Sequence, residues 1–453
     1  MTSSGLSRRE FIKAGGACVT AAALLGGLSA CPSRSSGKGG EQRLTFTMGK
    51  DASGTLQPLI DRFNEANKGR IQVSLREMSP ESDAYYRQLE SDFKAGSAEM
   101  DVIGADVVWT AALAQRGWVV DLSSRFFDAF RPEDFLDPSM SSVFYKFKVW
   151  GLPWFTVAGM LFYRRDLLER AGLKEPPNQW TQLREMVTRV REIEKVEQGF
   201  VFQGAEYEGG VVNAAEFIWN AGGRISTSNL SVAAGRGQSV MDPDIVTIDS
   251  PQAAAGLDAA RAVVADGITP GDVTSYREAE SLEAFRSGKA LFLRHWPEAY
   301  RLIQGEGSQI SADQVGVAHL PGAASTTRRY GCLGGWNLMI NARSSKPKQE
   351  AAWTFIRFLV DAAQQRERAS RGGFLPTLRS LHDDPELTRA LPIMSLGREA
   401  TARARTRPLS PYYMQMSPRI AQAFHRVLAG ELSGGDAARK LDAELRGILR
   451  ANR

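Results

Sequence analysis

Five segments of the sequence combine aromatic rings with carboxylates, glycines or an arginine. Rings offer flat apolar area to the C–H faces of a sugar, and carboxylate, guanidinium and amide groups bond its hydroxyls. A buried site of this kind rejects ligands that lack hydroxyls, because its own polar groups would stay unpaired. The combination therefore indicates a carbohydrate-binding site. The segments are Asp101–Trp109, Phe200–Gly210, His295–Pro297, Leu333–Asn337 and Arg407–Tyr413.

The sequence contains none of the common enzyme signatures, namely G-x-S-x-G, H-E-x-x-H, C-x-x-C, G-x-x-x-x-G-K-[ST] and G-x-G-x-x-G. Its four histidines are far apart in sequence, which is typical of surface or packing residues. Glu206 and Glu208 are two residues apart, a spacing that suits hydroxyl binding as well as the acid pair of a glycosidase. We expect a protein that is not an enzyme, with no catalytic residue, metal or cofactor.

Hydrophobic periodicity predicts the elements that must position these segments. Leu44–Met48, Ile71–Leu75 and Asp101–Val108 have strand character, and helices around Leu56–Phe63 and Asp83–Lys94 separate them. This β-α-β-α-β order predicts a parallel sheet, and open sheets of that type bind ligands at the carboxyl ends of their strands.

The same alternation returns later in the chain. Strands are predicted at Gly199–Gln203, Ala290–Leu293 and Asn337–Ile340, and helices at Trp180–Glu197, Pro251–Ala265, Lys348–Arg368 and, in two parts separated near Ser433, from Pro418 onward.

The first 31 residues indicate export. Ser7–Lys13 reads S-R-R-x-F-x-K and precedes a short, weakly apolar run, which is typical of a twin-arginine signal peptide. Leu28–Cys31 places small residues before a cysteine, the pattern of a lipoprotein signal. We expect residues 1–30 to be removed, Cys31 to carry lipid, and residues 31–42 to form a flexible linker.

Charge and cysteine content narrow the class of protein. A formal net charge of +5 over 453 residues is modest, so with export it argues against a nucleic-acid partner. Cys18 leaves with the signal peptide and Cys31 is lipidated, so Cys332 is the one remaining thiol and no disulfide is expected.

Seven segments, in order along the chain, resemble the extracellular solute-binding lipoproteins of ABC sugar importers, and among them the trehalose- and maltose-binding branch. They are DVIGADVVWTAALAQRGWVVDLS, LPWFTVAGMLFYRRDLLERAGLKEPPNQW, GFVFQGAEYEGGVVNAAEFIWNAGG, RHWPEAY, LGGWNLMI, RGGFLPTLRSL and RPLSPYY. The resemblance implies a two-lobe α/β periplasmic-binding-protein fold, similar to type II, whose lobes are joined by crossover hinge strands and close on the ligand.

By that resemblance, residues 43–152 and 333–362 form the N-terminal lobe, and residues 153–332 and 363–453 form the C-terminal lobe. The family pattern also implies the ligand-binding residues. Asp106 would accept sugar hydroxyls, Trp296 and Trp336 would stack on the rings, Gly335 would offer backbone groups and Arg407 would donate hydrogen bonds, with Glu208 and Tyr412 as further members.

The stretch Trp150–Gly159, WGLPWFTVAG, matches the crossover into the second lobe. Phe155 occupies an aromatic position that is usually tyrosine, so Trp154 and Phe155 are expected to form cleft wall. Val157 stands where the family usually has aspartate or asparagine, and we expect it in the core. The loss of one hydroxyl acceptor costs roughly 1 to 3 kcal/mol where its partner stays unpaired.

The implied function is capture of an α-linked disaccharide or similar oligosaccharide, resembling trehalose or maltose, for an ABC importer. Its partners would be the permease subunits and, through them, a cytoplasmic ATPase. We expect a monomer, exported by the twin-arginine route and lipid-anchored at the outer face of the cytoplasmic membrane or in the periplasm. Two alternatives remain open: the same fold binding a phosphorylated polyol such as glycerol 3-phosphate through Lys50, Arg403, Arg405 and Arg407, and a secreted glycosidase.

Overall fold

The computed structural model describes residues 40–227, 245–324 and 329–452. The expected signal peptide, the lipidated Cys31 and most of the expected linker lie outside the described residues. Within the described ranges, no helix is both long enough and apolar enough to cross a membrane.

Twelve strands occur in the described residues. They are β1 (Gln42–Gly49), β2 (Ile71–Met78), β3 (Val102–Asp106), β4 (Phe144–Tyr145), β5 (Lys148–Val149), β6 (Leu152–Ala158), β7 (Met160–Arg164), β8 (Gln198–Val201), β9 (Ala290–His295), β10 (Val315–Ala318), β11 (Leu333–Ile340) and β12 (Leu375–Pro376).

The described residues also form seventeen α-helices. They are α1 (Leu56–Ala66), α2 (Ser82–Lys94), α3 (Thr110–Gln115), α4 (Ser123–Ala129), α5 (Asp137–Ser141), α6 (Arg165–Arg170), α7 (Trp180–Ile193), α8 (Glu208–Asn220), α9 (Pro251–Ala265), α10 (Glu278–Arg286), α11 (Ala299–Leu302), α12 (Lys346–Val360), α13 (Ala362–Gly372), α14 (Pro385–Ala390), α15 (Met394–Arg403), α16 (Tyr413–Leu428) and α17 (Gly434–Ala451).

Six strands form the first sheet, in the order β12-β6-β11-β3-β1-β2. β1 runs parallel to both β2 and β3, as the β-α-β-α-β pattern predicts. β11, β6 and β12 extend the sheet through antiparallel pairings, so the first sheet is mixed rather than wholly parallel. Strands from distant parts of the chain therefore meet beside β3.

The second sheet has four strands, in the order β10-β7-β9-β8. β8 and β9 are parallel, whereas β7 pairs antiparallel with β9 and β10. Every residue of α8 is buried, as expected for a helix that is apolar on nearly all sides. α8 carries the carboxylates of Glu208 and Glu216 into this interior.

The first sheet packs on helices through alternating apolar residues. Leu44, Phe46 and Met48 of β1 are buried, which matches their predicted alternation. The Phe46 ring meets Phe355 of α12 edge to face, with ring centroids 5.5 Å apart. Phe355 in turn meets Phe63 of α1, with ring centroids 4.9 Å apart, so helices from distant parts of the sequence cover one sheet.

The single helix predicted over Lys348–Arg368 is wrong. α12 ends at Val360 because Asp361 takes an extended backbone conformation, and the Asp361 side chain caps α13 by accepting a hydrogen bond from the Ala363 amide. The last pair of helices also begins earlier than predicted, at Tyr413, and Pro418 lies in the second turn of α16.

The first sheet contains strands that the sequence-based division assigns to the other lobe. β6 and β12 belong to the first sheet, although the sequence-based division assigns residues 153–158 and 375–376 to the C-terminal lobe. We propose that the first crossover between lobes lies at Gly159, between β6 of the first sheet and β7 of the second.

Candidate functional site

Three predicted ligand residues are neighbours across the first sheet. Trp336 of β11 pairs with Asp106 at the end of β3 on one side and with Phe155 of β6 on the other. Residues paired across strands project from the same face of a sheet. The register therefore brings the acid and both aromatic rings together at one edge.

Gly335 allows this close approach. Its φ of +124° lies in a region that L side chains rarely adopt, and a Cβ there would stand 2.4 Å from the carbonyl oxygen of Phe155. The Gly335 carbonyl also accepts a hydrogen bond from the Val107 amide at 3.2 Å. The glycine thus keeps β6, β11 and the end of β3 in contact beside Trp336.

The Trp336 ring is held from one side. It stacks on Tyr85 of α2, with ring centroids 5.7 Å apart and planes 19° apart, and Trp109 meets it edge on at 5.5 Å. The Tyr85 hydroxyl is itself fixed by donating to the carbonyl oxygen of Thr47 at 2.8 Å. Because Trp336 is only half-buried, the face opposite Tyr85 is the one on which a flat ligand could stack.

Trp296, just after β9, is held in a similar way. The guanidinium of Arg294 lies 4.0 Å from the centroid of its ring. Arg294 forms a bidentate pair with Glu216, at 2.6 and 2.7 Å. The far edge of the Trp296 ring lies against Gly334 of β11. A Cβ on Gly334 would stand 3.3 Å from that ring and 2.7 Å from the Val157 side chain. Val157 is buried, as expected, but it also lies at the corner next to Trp296.

Arg407 joins the two parts of the site. It is 2% exposed, donates through Nη2 to Oδ1 of Asp106 at 3.1 Å, and donates through Nη1 to Oε1 of Glu208. Asp106 stands at the end of β3 and Glu208 at the start of α8, so the guanidinium links the first sheet to the helix of the second. Nε of Arg407 is buried and has no hydrogen-bond partner among the described residues.

The Glu208 carboxylate is fully engaged by protein groups. Besides Arg407, the Tyr413 hydroxyl donates to Oε1 and the Ser417 hydroxyl to Oε2. Burial raises the pKa of Glu208. The positive charge of Arg407 lowers this pKa, whereas the negative charge of Asp106, which shares the same guanidinium, raises it. This geometry suits a residue that positions Arg407 better than one that contacts the ligand directly.

A second polar cluster lies beyond Phe155. Arg368 of α13 donates to Asp51 at 3.0 Å, and its guanidinium lies 5.3 Å from the Phe155 ring and 4.4 Å from the Phe374 ring. Burial lowers the pKa of Arg368, although Asp51 opposes the effect. Phe155 and Phe374 are in contact, with centroids 4.5 Å apart.

Comparison with protein families identifies the class. The model of bacterial extracellular solute-binding proteins matches residues 49–366. The chain belongs to this family. The matched span includes Asp106, Trp296 and Trp336, and ends before Arg407.

Individual members of the extracellular solute-binding family are similar over most of their length. A protein of Deinococcus radiodurans named "Probable ABC transporter-binding protein" is 32% identical over 388 residues, which cover 84% of this chain and 87% of that protein. The structure of T. maritima MalE3 with bound maltose is 32% identical, with a TM-score of 0.80, and covers 90% of this chain and 99% of that one. A solute-binding protein of Thermotoga lettingae, bound to α-D-tagatose, has a TM-score of 0.76 at 23% identity and covers 90% of this chain and 100% of that one. The predicted two-lobe α/β fold is confirmed.

Two aromatic predictions need correction within this solute-binding fold. Trp154 is 1% exposed and packs in the core against Phe46, with centroids 5.9 Å apart, so it is not cleft wall. The pairing of β11 with β6 skips Trp154, so strand alternation is interrupted there, and the Trp154 ring contacts the Phe155 ring with centroids 5.1 Å apart. The Tyr412 hydroxyl donates to the backbone carbonyl of Asn452 at the end of α17, which turns it away from the Arg407 network.

Tyr413, rather than Tyr412, reaches the site. Tyr413 and Ser417 are four residues apart on α16, and that spacing places both on one helical face, where they bond Glu208. This spacing is visible in the sequence, but the contact of both residues with Glu208 is tertiary. Asp51, Arg368 and Phe374 carry no such local signal, because tertiary pairing brings them together.

Proposed function

We propose that this extracellular solute-binding protein captures an α-linked disaccharide or a similar short glucoside between its two sheets and delivers it to an ABC permease. The observation that supports this proposal most directly is the pair of half-buried tryptophans, Trp296 and Trp336. A protein group packs against one side of each ring. A sugar ring placed between them would contact aromatic surface from both sheets.

Polar groups around the tryptophans support a hydroxylated ligand. Asp106 lies beside Trp336 in the sheet register, and Arg407 has an uncommitted Nε–H close to it. The similarity to T. maritima MalE3, whose structure contains maltose, agrees with this chemistry.

A thermal-shift and calorimetric screen tests the proposal. The chain from residue 40 onward would be titrated with maltose, trehalose, longer α-glucosides, monosaccharides, polyols and sugar phosphates. A ligand at 100 times its Kd stabilises the folded state by about 2.7 kcal/mol, which raises the melting temperature measurably. Trp336→Ala and Trp296→Ala should each weaken binding about tenfold or more, since stacking alone contributes roughly 0.5 to 1.5 kcal/mol beyond buried area.

Trp353→Ala is the matched control, because this half-buried tryptophan of α12 packs on Phe130 away from the site. It should leave affinity unchanged. Equal losses of affinity in all three variants, or no shift with any sugar or polyol, would contradict the proposal.

A phosphorylated ligand is less well supported, because the arginines near the site already face carboxylates. Phosphate recognition needs guanidinium charge that carboxylates have not already neutralised. Lys50 is exposed, and Arg403 pairs with Glu399 at the surface. We therefore expect inorganic phosphate not to compete with a bound sugar. The committed pairs are Arg294 with Glu216, Arg368 with Asp51, and Arg407 with Asp106 and Glu208.

We also propose the twin-arginine export, the lipid anchor on Cys31, the permease and ATPase partners, the monomeric state and the absence of catalysis. The support for export and anchoring is the sequence from Ser7 to Cys31. Metabolic labelling with a radioactive fatty acid should mark the wild-type protein but not Cys31→Ala, and labelling of that variant would contradict the anchor.

A further inference from the structure

Glu298 is an acid that the proposed sugar contacts leave unused. It follows Trp296 and Pro297 in the loop after β9, and its Cα lies 3.0 Å from where a Cβ on Gly373 would stand. Gly373 immediately precedes Phe374, so the loop carrying Glu298 lies against the aromatic end of the site. Oε2 of Glu298 is buried and has no hydrogen-bond partner among the described residues.

Acids and cations both lie near Glu298, and their own partners are already assigned. Glu278 accepts a hydrogen bond from the Tyr207 hydroxyl at 2.5 Å, and Asp51 pairs with Arg368. The nearby cation, Arg294, is bound bidentately by Glu216. Arg301, one turn further on, donates to the carbonyl oxygen of Ala390 instead.

This environment affects how Glu298 ionises. Burial raises its pKa from 4.5 to about 7; Glu278 and Asp51 raise it further, while its own amide and Arg294 act in the opposite direction. His295, also buried nearby, has its pKa lowered to about 4 by burial and by Arg294, so it stays neutral above pH 5.

We propose that Glu298 binds a protonated amine of the ligand, so that the preferred ligand is an amino sugar or amino polyol rather than a neutral one. The inference rests on the proposed function, because it needs a hydroxylated ring held by Trp296 beside Glu298. A ligand hydroxyl would satisfy the free oxygen of Glu298 but would leave its ionised carboxylate without a counter-ion, because Arg294 and Arg368 already pair with other acids. An ammonium group satisfies both the hydrogen bond and the charge.

Matched ligand pairs test this inference. Calorimetry at pH 7.5 would compare trehalose with 2-trehalosamine, glucose with glucosamine, and sorbitol with glucamine. The amine of the best pair should bind roughly 10- to 100-fold more tightly than its parent, the range for a charge-assisted hydrogen bond. Glu298→Gln keeps the shape but removes the charge, so it should bring this ratio to about 1 while the parent changes less than about threefold. Glu399→Gln, an exposed acid of α15, is the control and should keep the wild-type ratio.

The pH dependence of ligand binding is a second test, because a purely structural role of Glu298 would not change the preference for amines with pH. Glucamine stays protonated from pH 5 to 7.5, whereas Glu298 takes up a proton as pH falls, so the wild-type preference for glucamine over sorbitol should shrink toward pH 5. Parents that bind as tightly as the amines, or a preference that survives Glu298→Gln, would overturn this inference and leave the proposed function intact. Failure of every pair to bind would overturn this inference, and failure of maltose and the longer α-glucosides as well would overturn both.

Discussion

Replacing Glu298 with glutamine should stabilise the ligand-free protein, and only above about pH 5. In the folded state the pKa of Glu298 is about 7, whereas its ordinary pKa is 4.5. Between these values the folded state binds more protons than the unfolded state, so this group lowers stability as pH rises. Each pKa unit corresponds to about 1.4 kcal/mol, so the full cost above pH 7 is about 3 kcal/mol at most. Because the side chain is only partly shielded from solvent, we expect about 1 to 3 kcal/mol.

Urea unfolding of wild type and Glu298→Gln at pH 4.5, 6 and 8 measures this directly. The two free energies of unfolding should be nearly equal at pH 4.5 and should separate progressively, with the variant more stable at pH 8. Comparing two variants cancels the pH dependence of all other groups. Parallel curves across the range, or a variant less stable at pH 8, would refute the reasoning that Glu298 is an uncompensated acid.

Three further predictions concern the site's framework. Gly335→Ala should destabilise the fold by about 2 kcal/mol or more and weaken ligand binding, because its Cβ would collide with the Phe155 carbonyl; unchanged urea midpoints would contradict this. Trp154→Ala should cost about 3 to 5 kcal/mol of stability as a core cavity, while the affinity of the protein that remains folded stays near wild type by calorimetry. Arg407→Lys should weaken ligand binding about tenfold or more, since an ammonium cannot reproduce the fork that serves Asp106 and Glu208 together; an unchanged Kd would argue against that bridge.

Local sequence patterns predicted the elements that have strong periodicity and the acids and rings at their ends. β1, α1 and β2 follow from alternation and from a 3.6-residue stripe, whereas the role of Asp106, which ends β3, came from the family resemblance. The break at Asp361 was missed because good helix formers continue across it without a glycine or proline, and only the Asp361 cap separates α12 from α13.

Contacts between distant segments were beyond local patterns. Asp51 and Arg368 are 317 residues apart, and no spacing rule links them. The role of Glu298 likewise depends on what surrounds it, since an acid two residues after Trp296 is unremarkable until its neighbours and their partners are known. The burial of Trp154 likewise depends on its contact with Phe46 of β1, which no spacing rule predicts.

The mixed first sheet has a consequence for synthesis of the chain. The Asn341 side chain at the end of β11 donates to the carbonyl oxygen of Met100 just before β3, a contact between residues 241 positions apart. At about 5 to 20 residues per second, translation of that interval takes roughly 10 to 50 s. During this time β3 has no β11 beside it, so its apolar edge is open to pairing with other chains. The first sheet thus cannot be completed when β1, β2 and β3 have been made, and its completion must wait for β11, which begins at Leu333.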